Sequence, residues 1–282
     1  MARPRIGARA PIVILSDFGC RDHYAGVMKG VIASISPEAP VIDLTHGIPP
    51  QQVLAGALAL RESVSFFPRR TIFLAVVDPG VGTDRKPIAV ETKRGLRLVG
   101  PDNGLLWLAA SWEGIKRIVA LRSARYRLPK VSASFHGRDI FAPAAAWLWR
   151  GVPMSELGPQ LRTIEQLDPY AGVIANPNEL RGEVIYVDGF GNLITNISRA
   201  SFERFAGRCQ QCRLSITIKR GVSLSLQGSY AEARQGSPLA IFGSFNLLEI
   251  AVRNGNAAKW FNAAVGARVR LRRADARISS RG

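Results

Sequence analysis

The sequence predicts two domains of different class: an N-terminal α/β domain with a central, mostly parallel sheet flanked by helices, and a C-terminal all-β domain, barrel or sandwich. Three observations lead there. In the first half, short continuous apolar runs such as Ile12-Val13-Ile14-Leu15 alternate with helical patterns, the rhythm of strands buried on both faces. From Arg181 onward, short strands separated by turn residues take over. The chain has 282 residues, 47% hydrophobic and 21% charged, which is enough for two domains with real cores. The expected boundaries are a basic extension over 1–10, the α/β domain over 11–160, a linker over 161–180, the β domain over 181–273 and a basic tail over 274–282.

In order, residues 11–15 form a strand that ends at Ser16-Asp17-Phe18-Gly19. A helix over 22–35 follows, with Asp22 as N-cap and Tyr24, Val27, Val31 and Ile35 on one face. Residues 41–44 give a second strand, with His46 just after it, and 51–66 a helix stopped by Phe67-Pro68. The strand over 71–77 ends at Asp78, where Pro79, Gly80 and Gly82 force a tight loop. Residues 87–91 and 96–99 read as a hairpin turning at Arg94-Gly95. The turn cluster Gly100-Pro101-Asp102-Asn103-Gly104 precedes a helix over 105–111 and a strand over 115–121. Phe135-His136-Gly137-Arg138-Asp139 then opens an amphipathic helix over 140–149, so His136 sits near a helix N-terminus, where imidazolium is disfavoured. The β domain has strands at 182–187, 193–197, 214–218, 222–226, 239–242, 248–252 and 267–271, and Asp188-Gly189-Phe190-Gly191-Asn192 is its first turn.

Composition narrows the function classes. No apolar run approaches the ~20 residues of a membrane helix, and no signal-peptide pattern opens the chain, so a cytoplasmic location is expected. Of three cysteines, Cys20 stands alone and Cys209 and Cys212 form one C-x-x-C. A structural zinc site needs four ligands, so these read as reduced thiols and no metal is expected. The net charge is +17, with Arg3, Arg5, Arg9, Arg268, Arg270, Arg272, Arg273, Arg277 and Arg281 near the ends. Arg-rich ends attract polyanions non-specifically or simply solubilise, and no nucleic-acid-reading motif accompanies them.

Ligands of open α/β sheets bind outside the carboxyl ends of the strands. Asp17 and Asp78 both fall there, Arg85 follows Asp78 in one loop, and His136 lies at a helix start. These are candidate site residues, although the same spacings also serve turn caps, an exposed ion pair and a satisfied core histidine.

Seven stretches, taken together and in order, resemble one family. They are Ser16-Asp17-Phe18-Gly19, Met28-Lys29-Gly30-Val31-Ile32, Ile42-Asp43-Leu44-Thr45-His46 and Val77-Asp78-Pro79-Gly80-Val81-Gly82-Thr83, then Gly100-Pro101-Asp102-Asn103-Gly104, Phe135-His136-Gly137-Arg138-Asp139-Ile140-Phe141-Ala142-Pro143 and Phe190-Gly191-Asn192-Leu193-Ile194-Thr195-Asn196. The family is the adenosine-forming S-adenosyl-L-methionine (SAM) hydrolases, or SAM hydroxide adenosyltransferases, relatives of the SAM-dependent fluorinase and chlorinase. The resemblance spans about residues 12–256. It implies hydrolysis of SAM to adenosine and L-methionine without a cofactor, and a homotrimer with sites at subunit interfaces. It also implies a water held by Asp78, Arg85 and His136, ribose hydroxyls on Asp17, adenine on Phe190 and Asn192, the methionine ammonium on Asp188 and its carboxylate on Ser244.

The chemistry suits that assignment. The leaving group is a neutral thioether, so departure needs no general acid, and the task is to aim a desolvated oxygen in line at C5′. Arg85 beside Asp78 is expected to lower the carboxyl pKa and make Asp78 an orienting group that accepts a proton late. Where the halogenating relatives carry an uncharged aromatic and a halide-binding serine, this chain has Asp78 and Gly137, and a carboxylate there repels halide. The chain departs from the family pattern at Ser244-Phe245-Asn246 and at Gly189, and its charge of +17 opposes long-range capture of a cationic substrate. Two further readings are a SAM- or nucleoside-binding regulator with negligible turnover and a SAM-dependent halogenase.

Overall fold

The computed structural model describes residues 10–170, 173–176, 178–207, 213–218 and 221–274. The chain divides into two compact units, Met1–Leu167 and Asp168–Gly282. Cys209, Cys212, Arg3, Arg5, Arg9, Arg277 and Arg281 lie outside the described residues, as does the side chain of Arg273.

The first unit contains β1 (Ile12–Ser16), α1 (Tyr24–Ile35), β2 (Val41–Thr45), α2 (Val53–Val64), β3 (Ile72–Val76), β4 (Pro87–Thr92), β5 (Arg97–Pro101), α3 (Trp107–Glu113), β6 (Ile115–Ala120), α4 (Ala142–Trp149), α5 (Met154–Leu157) and β7 (Gln160–Leu161). Its seven strands form one sheet in the order β2-β1-β3-β5-β4-β6-β7. The β2-β1-β3-β5 half is parallel. The hairpin of β4 and β5 then turns the rest antiparallel. Every residue of β1 and β3 is buried, which is why these strands read as unbroken apolar runs. One core face collects Ile12, Ile14, Met28, Ile32, Ile72, Leu74, Val99 and Phe141.

Helix α1 differs from expectation. It begins at Tyr24, with His23 in the cap position and no side-chain cap bond, so Asp22 is not its N-cap. A turn anchored by Gly19 N–H on the His46 carbonyl (2.7 Å) occupies the residues before it. Its buried residues are Ala25, Met28 and Ile32. Tyr24 instead turns into an aromatic cluster, 5.5 Å from Phe18 and 5.2 Å from Phe135 by ring centroid.

The second unit contains β8 (Ile174–Ala175), β9 (Glu179–Val187), β10 (Leu193–Ser198), α6 (Arg199–Ala206), β11 (Arg213–Thr217), β12 (Ser223–Leu224), β13 (Pro238–Phe242), β14 (Leu247–Val252), α7 (Ala257–Phe261) and β15 (Arg268–Ala274). Seven strands run in the order β12-β11-β15-β9-β10-β14-β13, with β8 pairing on β9 off that path. All these pairings are antiparallel, and a bridge from Leu226 to Ala240 brings the segment after β12 against β13, so the sheet nearly closes into a barrel. Its core is Leu180, Val184, Leu193, Ile197, Phe205, Leu248, Ile250, Phe261, Val269 and Leu271. The two short helices were not expected. Ser198 caps α6 by accepting from Ser201 N–H, and Asn256 caps α7 by accepting from Lys259 N–H.

The region expected as a linker holds part of β7, all of β8 and the start of β9. Arg268, Arg270 and Arg272 belong to β15, and Arg272 donates from Nε to Glu179 Oε1 at 3.0 Å. Among the described residues, no helix is long and apolar enough to cross a membrane.

Candidate active site

The parallel strands set the geometry. Ser16 of β1 registers with Val76 of β3, so Asp17 and Asp78 leave neighbouring strands at the same carboxyl edge. His46 follows β2 and Asn103 follows β5 at that edge. Asn103 donates from Nδ2 to the Val77 carbonyl (2.9 Å) and accepts from Leu105 N–H (3.2 Å), which braces the residue before Asp78.

After Asp78 the chain makes two tight turns, Val81 N–H to the Asp78 carbonyl (3.2 Å) and Thr83 N–H to the Gly80 carbonyl (3.2 Å). Gly82 sits at φ +81°, and a Cβ there would overlap the Ala133 carbonyl. Only glycine therefore allows this loop to lie against the segment that carries His136. That segment is held from the other side. Asp139, fully buried, accepts from Ser132 N–H (2.8 Å) and from Arg138 Nε (2.6 Å). His136 itself stands at the start of a π-helical turn, Gly137–Phe141, that runs into α4. Such turns concentrate at functional sites.

The result brings Asp78, Arg85 and His136 together. Arg85 donates from Nε to Asp78 Oδ1 (2.9 Å) and from Nη2 to Asp78 Oδ2, a two-pronged ion pair. Nη2 also lies 3.0 Å from His136 Nδ1. A guanidinium only donates, so Nδ1 accepts and the neutral ring carries its proton on Nε2. The side chains of Arg85 and Asp78 are only 7% and 6% exposed, so this is no solvated surface pair. Arg85 Nη1 is buried with no hydrogen-bond partner among the described residues, and the guanidinium carbon lies 5.3 Å from the Phe141 ring centroid. Removing one partner of such a buried pair typically costs ~3–5 kcal/mol, because the other charge is stranded.

The electrostatics correct one expectation. Burial pushes the Asp78 carboxyl above its usual value, outweighing the opposing pull of Arg85 and His136, and the Asp17 charge adds to the rise. The sequence shows the arginine but not the desolvation around both groups. His136 is pushed down, first by burial and then by Arg85, which favours the neutral imidazole. Asp17 accepts from Gln51 N–H at 2.8 Å.

The other four candidates gather in a pocket of ≈ 740 Å³ in the second unit, lined by Asp188, Phe190, Asn192, Tyr230, Ser244 and Glu249 among others. Asp188 Oδ1 accepts from Phe190 N–H and Asn192 N–H (2.9 Å each), and Oδ2 accepts from Asn192 Nδ2 (2.9 Å). This turn holds Phe190 out at 80% exposure. Two lining residues were not expected. Tyr230 donates to the buried Glu249 Oε1 at 2.5 Å. Burial raises the Glu249 carboxyl against the pull of Tyr230. Glu249 lies in an otherwise unbroken apolar strand, Leu247–Val252, where a lone acid is the available signal; Tyr230 sits in a segment with no periodic pattern. Among the described residues no cluster of His, Cys, Asp or Glu is arranged to hold a metal ion.

Two carboxyl-edge acids, a guanidinium and an imidazole on an α/β unit, and a polar-aromatic pocket on a nearly closed β sheet, are the features of a two-domain small-molecule enzyme. Models of the SAM hydroxide adenosyltransferase N-terminal and C-terminal domains match residues 12–158 and 182–270, and the chain belongs to that family. It is similar to an (R)-S-adenosyl-L-methionine hydrolase of Thermus thermophilus, 39% identical over 93% of this chain and 99% of that protein. A fluorinase of Actinopolyspora mzabensis is 26% identical over 94% of this chain and 98% of that one. The crystal structure of an uncharacterized conserved protein from Thermotoga maritima superposes with a TM-score of 0.83 at 35% identity, covering 93% of this chain and all of that one.

Proposed function

We infer that this protein is an enzyme that hydrolyses SAM to adenosine and L-methionine by in-line attack of water on ribose C5′. Membership of the family and the 39% identity to a hydrolase of that substrate support the reading. The observation that carries it is the buried contact of Asp78, Arg85 and His136. Asp78 offers acceptor lone pairs to a water proton, and His136 Nε2–H offers a donor to its oxygen. Water oxygen bonds to C5′ while the C–S electron pair returns to sulfur, leaving a neutral thioether. The proton lost by the water passes to Asp78 and on to solvent.

Because the Asp78 carboxyl is raised rather than lowered, it is a better proton acceptor than an exposed aspartate, at the cost of ionising less readily. Both of its oxygens are committed to Arg85, which argues for orienting water over attacking carbon. Since sulfonium departure needs no acid, we propose that no cofactor or metal takes part. Asp17 takes the ribose hydroxyls, Phe190 and Asn192 the adenine, Asp188 the ammonium through its remaining lone pair, and Ser244 the carboxylate. A cytoplasmic homotrimer, with sites shared between subunits, and weak polyanion binding through exposed arginines such as Arg268 and Arg270 complete the proposal.

The relative's name specifies the R configuration at sulfur, and we propose the same preference here. The test is incubation with each sulfonium epimer, with chloride present, followed by chromatography. Adenosine and methionine from the R epimer are expected. SAM bound but unchanged would favour a regulatory binder, and a chlorinated nucleoside would favour a halogenase.

A further inference from the structure

His46 is a buried titratable side chain, 7% exposed, that the proposed reaction does not use. Its Nδ1 lies 2.7 Å from Ser16 Oγ, and Ser16 is fully buried at the end of β1. Its Nε2 lies 3.0 Å from Asp43 Oδ1, and Asp43 Oδ2 accepts from Lys29 Nζ at 2.6 Å. Asp43 is an acceptor here, since Lys29 and His46 hold its carboxyl below the usual range although burial alone would raise it. Nε2 therefore donates, and in the neutral ring Nδ1 accepts from the Ser16 hydroxyl. Ser16 Oγ in turn accepts from Phe18 N–H at 3.4 Å. The backbone of the same histidine acts in parallel, its carbonyl accepting from Gly19 N–H at 2.7 Å.

His46 thus grips the β1 turn on both sides of Asp17, at Ser16 through its ring and at Gly19 through its carbonyl. The third restraint is Gln51 N–H on Asp17 Oδ2 at 2.8 Å, made by a residue at φ +66°, uncommon for a side chain with a Cβ. Ser16 is fully buried, so the Ser-His-Asp chain lacks the exposed nucleophile of a hydrolytic triad.

We propose that His46, through Ser16, is a positioning residue that fixes the Asp17 carboxylate for recognition of the ribose hydroxyls. The proposal rests on Asp17 as the ribose ligand and deepens that reading of the site. Binding of adenosine and of 2′-deoxyadenosine, measured calorimetrically, tests it without any need for turnover. The full-length protein is expected to prefer adenosine about 10- to 100-fold, the range for a hydrogen bond to a charged group. Asp17→Asn should abolish the preference. Ser16→Ala and His46→Ala should each reduce it about tenfold, as expected for a displaced binding group. His46→Asn, whose Oδ1 can still accept from Ser16, should keep most of it. Adding Ser16→Ala to Asp17→Asn should change nothing further, since the two act as one unit. An unchanged preference in folded Ser16→Ala and His46→Ala overturns the proposal while leaving Asp17 in place. Absence of any preference in the unmodified protein overturns both together.

Discussion

The polar cluster of the first unit and the pocket of the second are built in opposite ways. Asp78 and Arg85 are buried, and each oxygen of the acid is spoken for. Around Phe190, the backbone is fixed by Asp188 but the ring itself is 80% exposed. One region holds its charges buried and tied; the other presents an accessible aromatic face. On the proposed roles, the difference makes reaction and recognition separable. Electrostatic preorganisation needs desolvated, over-determined groups, whereas stacking needs an accessible face.

Substitutions should separate the two. Asp78→Asn keeps the shape but removes the proton acceptor. Single-turnover adenosine release is expected to fall by about 10³-fold or more, with the SAM dissociation constant changed less than about fivefold. Phe190→Ala should do the reverse, raising KM about 10- to 100-fold with kcat within about threefold, as loss of one base–aromatic stack predicts. A parallel fall in kcat and kcat/KM on losing Phe190 would erase the contrast.

The pH profile sharpens it further. Asp78 works ionised, and its carboxyl is raised above 3.8, so kcat/KM should fall about tenfold per pH unit on the acid side of that raised value. His136 is held below 6.5 by burial and by Arg85, so any limb it adds lies on the acid side of the ordinary histidine value. Any acid limb belongs to the coupled cluster rather than to one residue. A limb near 6.5 that disappears in His136→Gln would contradict this. The smallest effect expected is Ser198→Ala, far from both regions in role: about 1 kcal/mol of stability from a lost helix cap, read by urea denaturation, with kinetics unchanged.

Much of this was legible from local pattern. The buried strands β1 and β3 and their carboxylates could be placed because unbroken apolar runs end abruptly in polar, Gly-rich loops. What escaped has physical reasons. β7 and β8 have two residues each, too few to show alternation. α7 is barely one turn, below the length at which helical period is readable. α6 did carry a signal, Ser198 as cap with Phe202 and Phe205 on one side, but it was hidden between two strands. The start of α1 was misplaced because the turn after Asp17 is fixed by His46, a residue distant in sequence. The direction of the Asp78 shift was reversed for a related reason: a sequence displays a charge partner but not the burial that overrides it.

The account stands on a water aimed at C5′ by Asp78, Arg85 and His136. The most direct measurement is a single turnover of SAM in heavy-oxygen water, with mass spectrometry of the adenosine released. Full label at the 5′ oxygen on that first turnover is the predicted result. Unlabelled adenosine from the first turnover, with label entering only in later ones, would mean that a protein carboxylate attacks first and would contradict it.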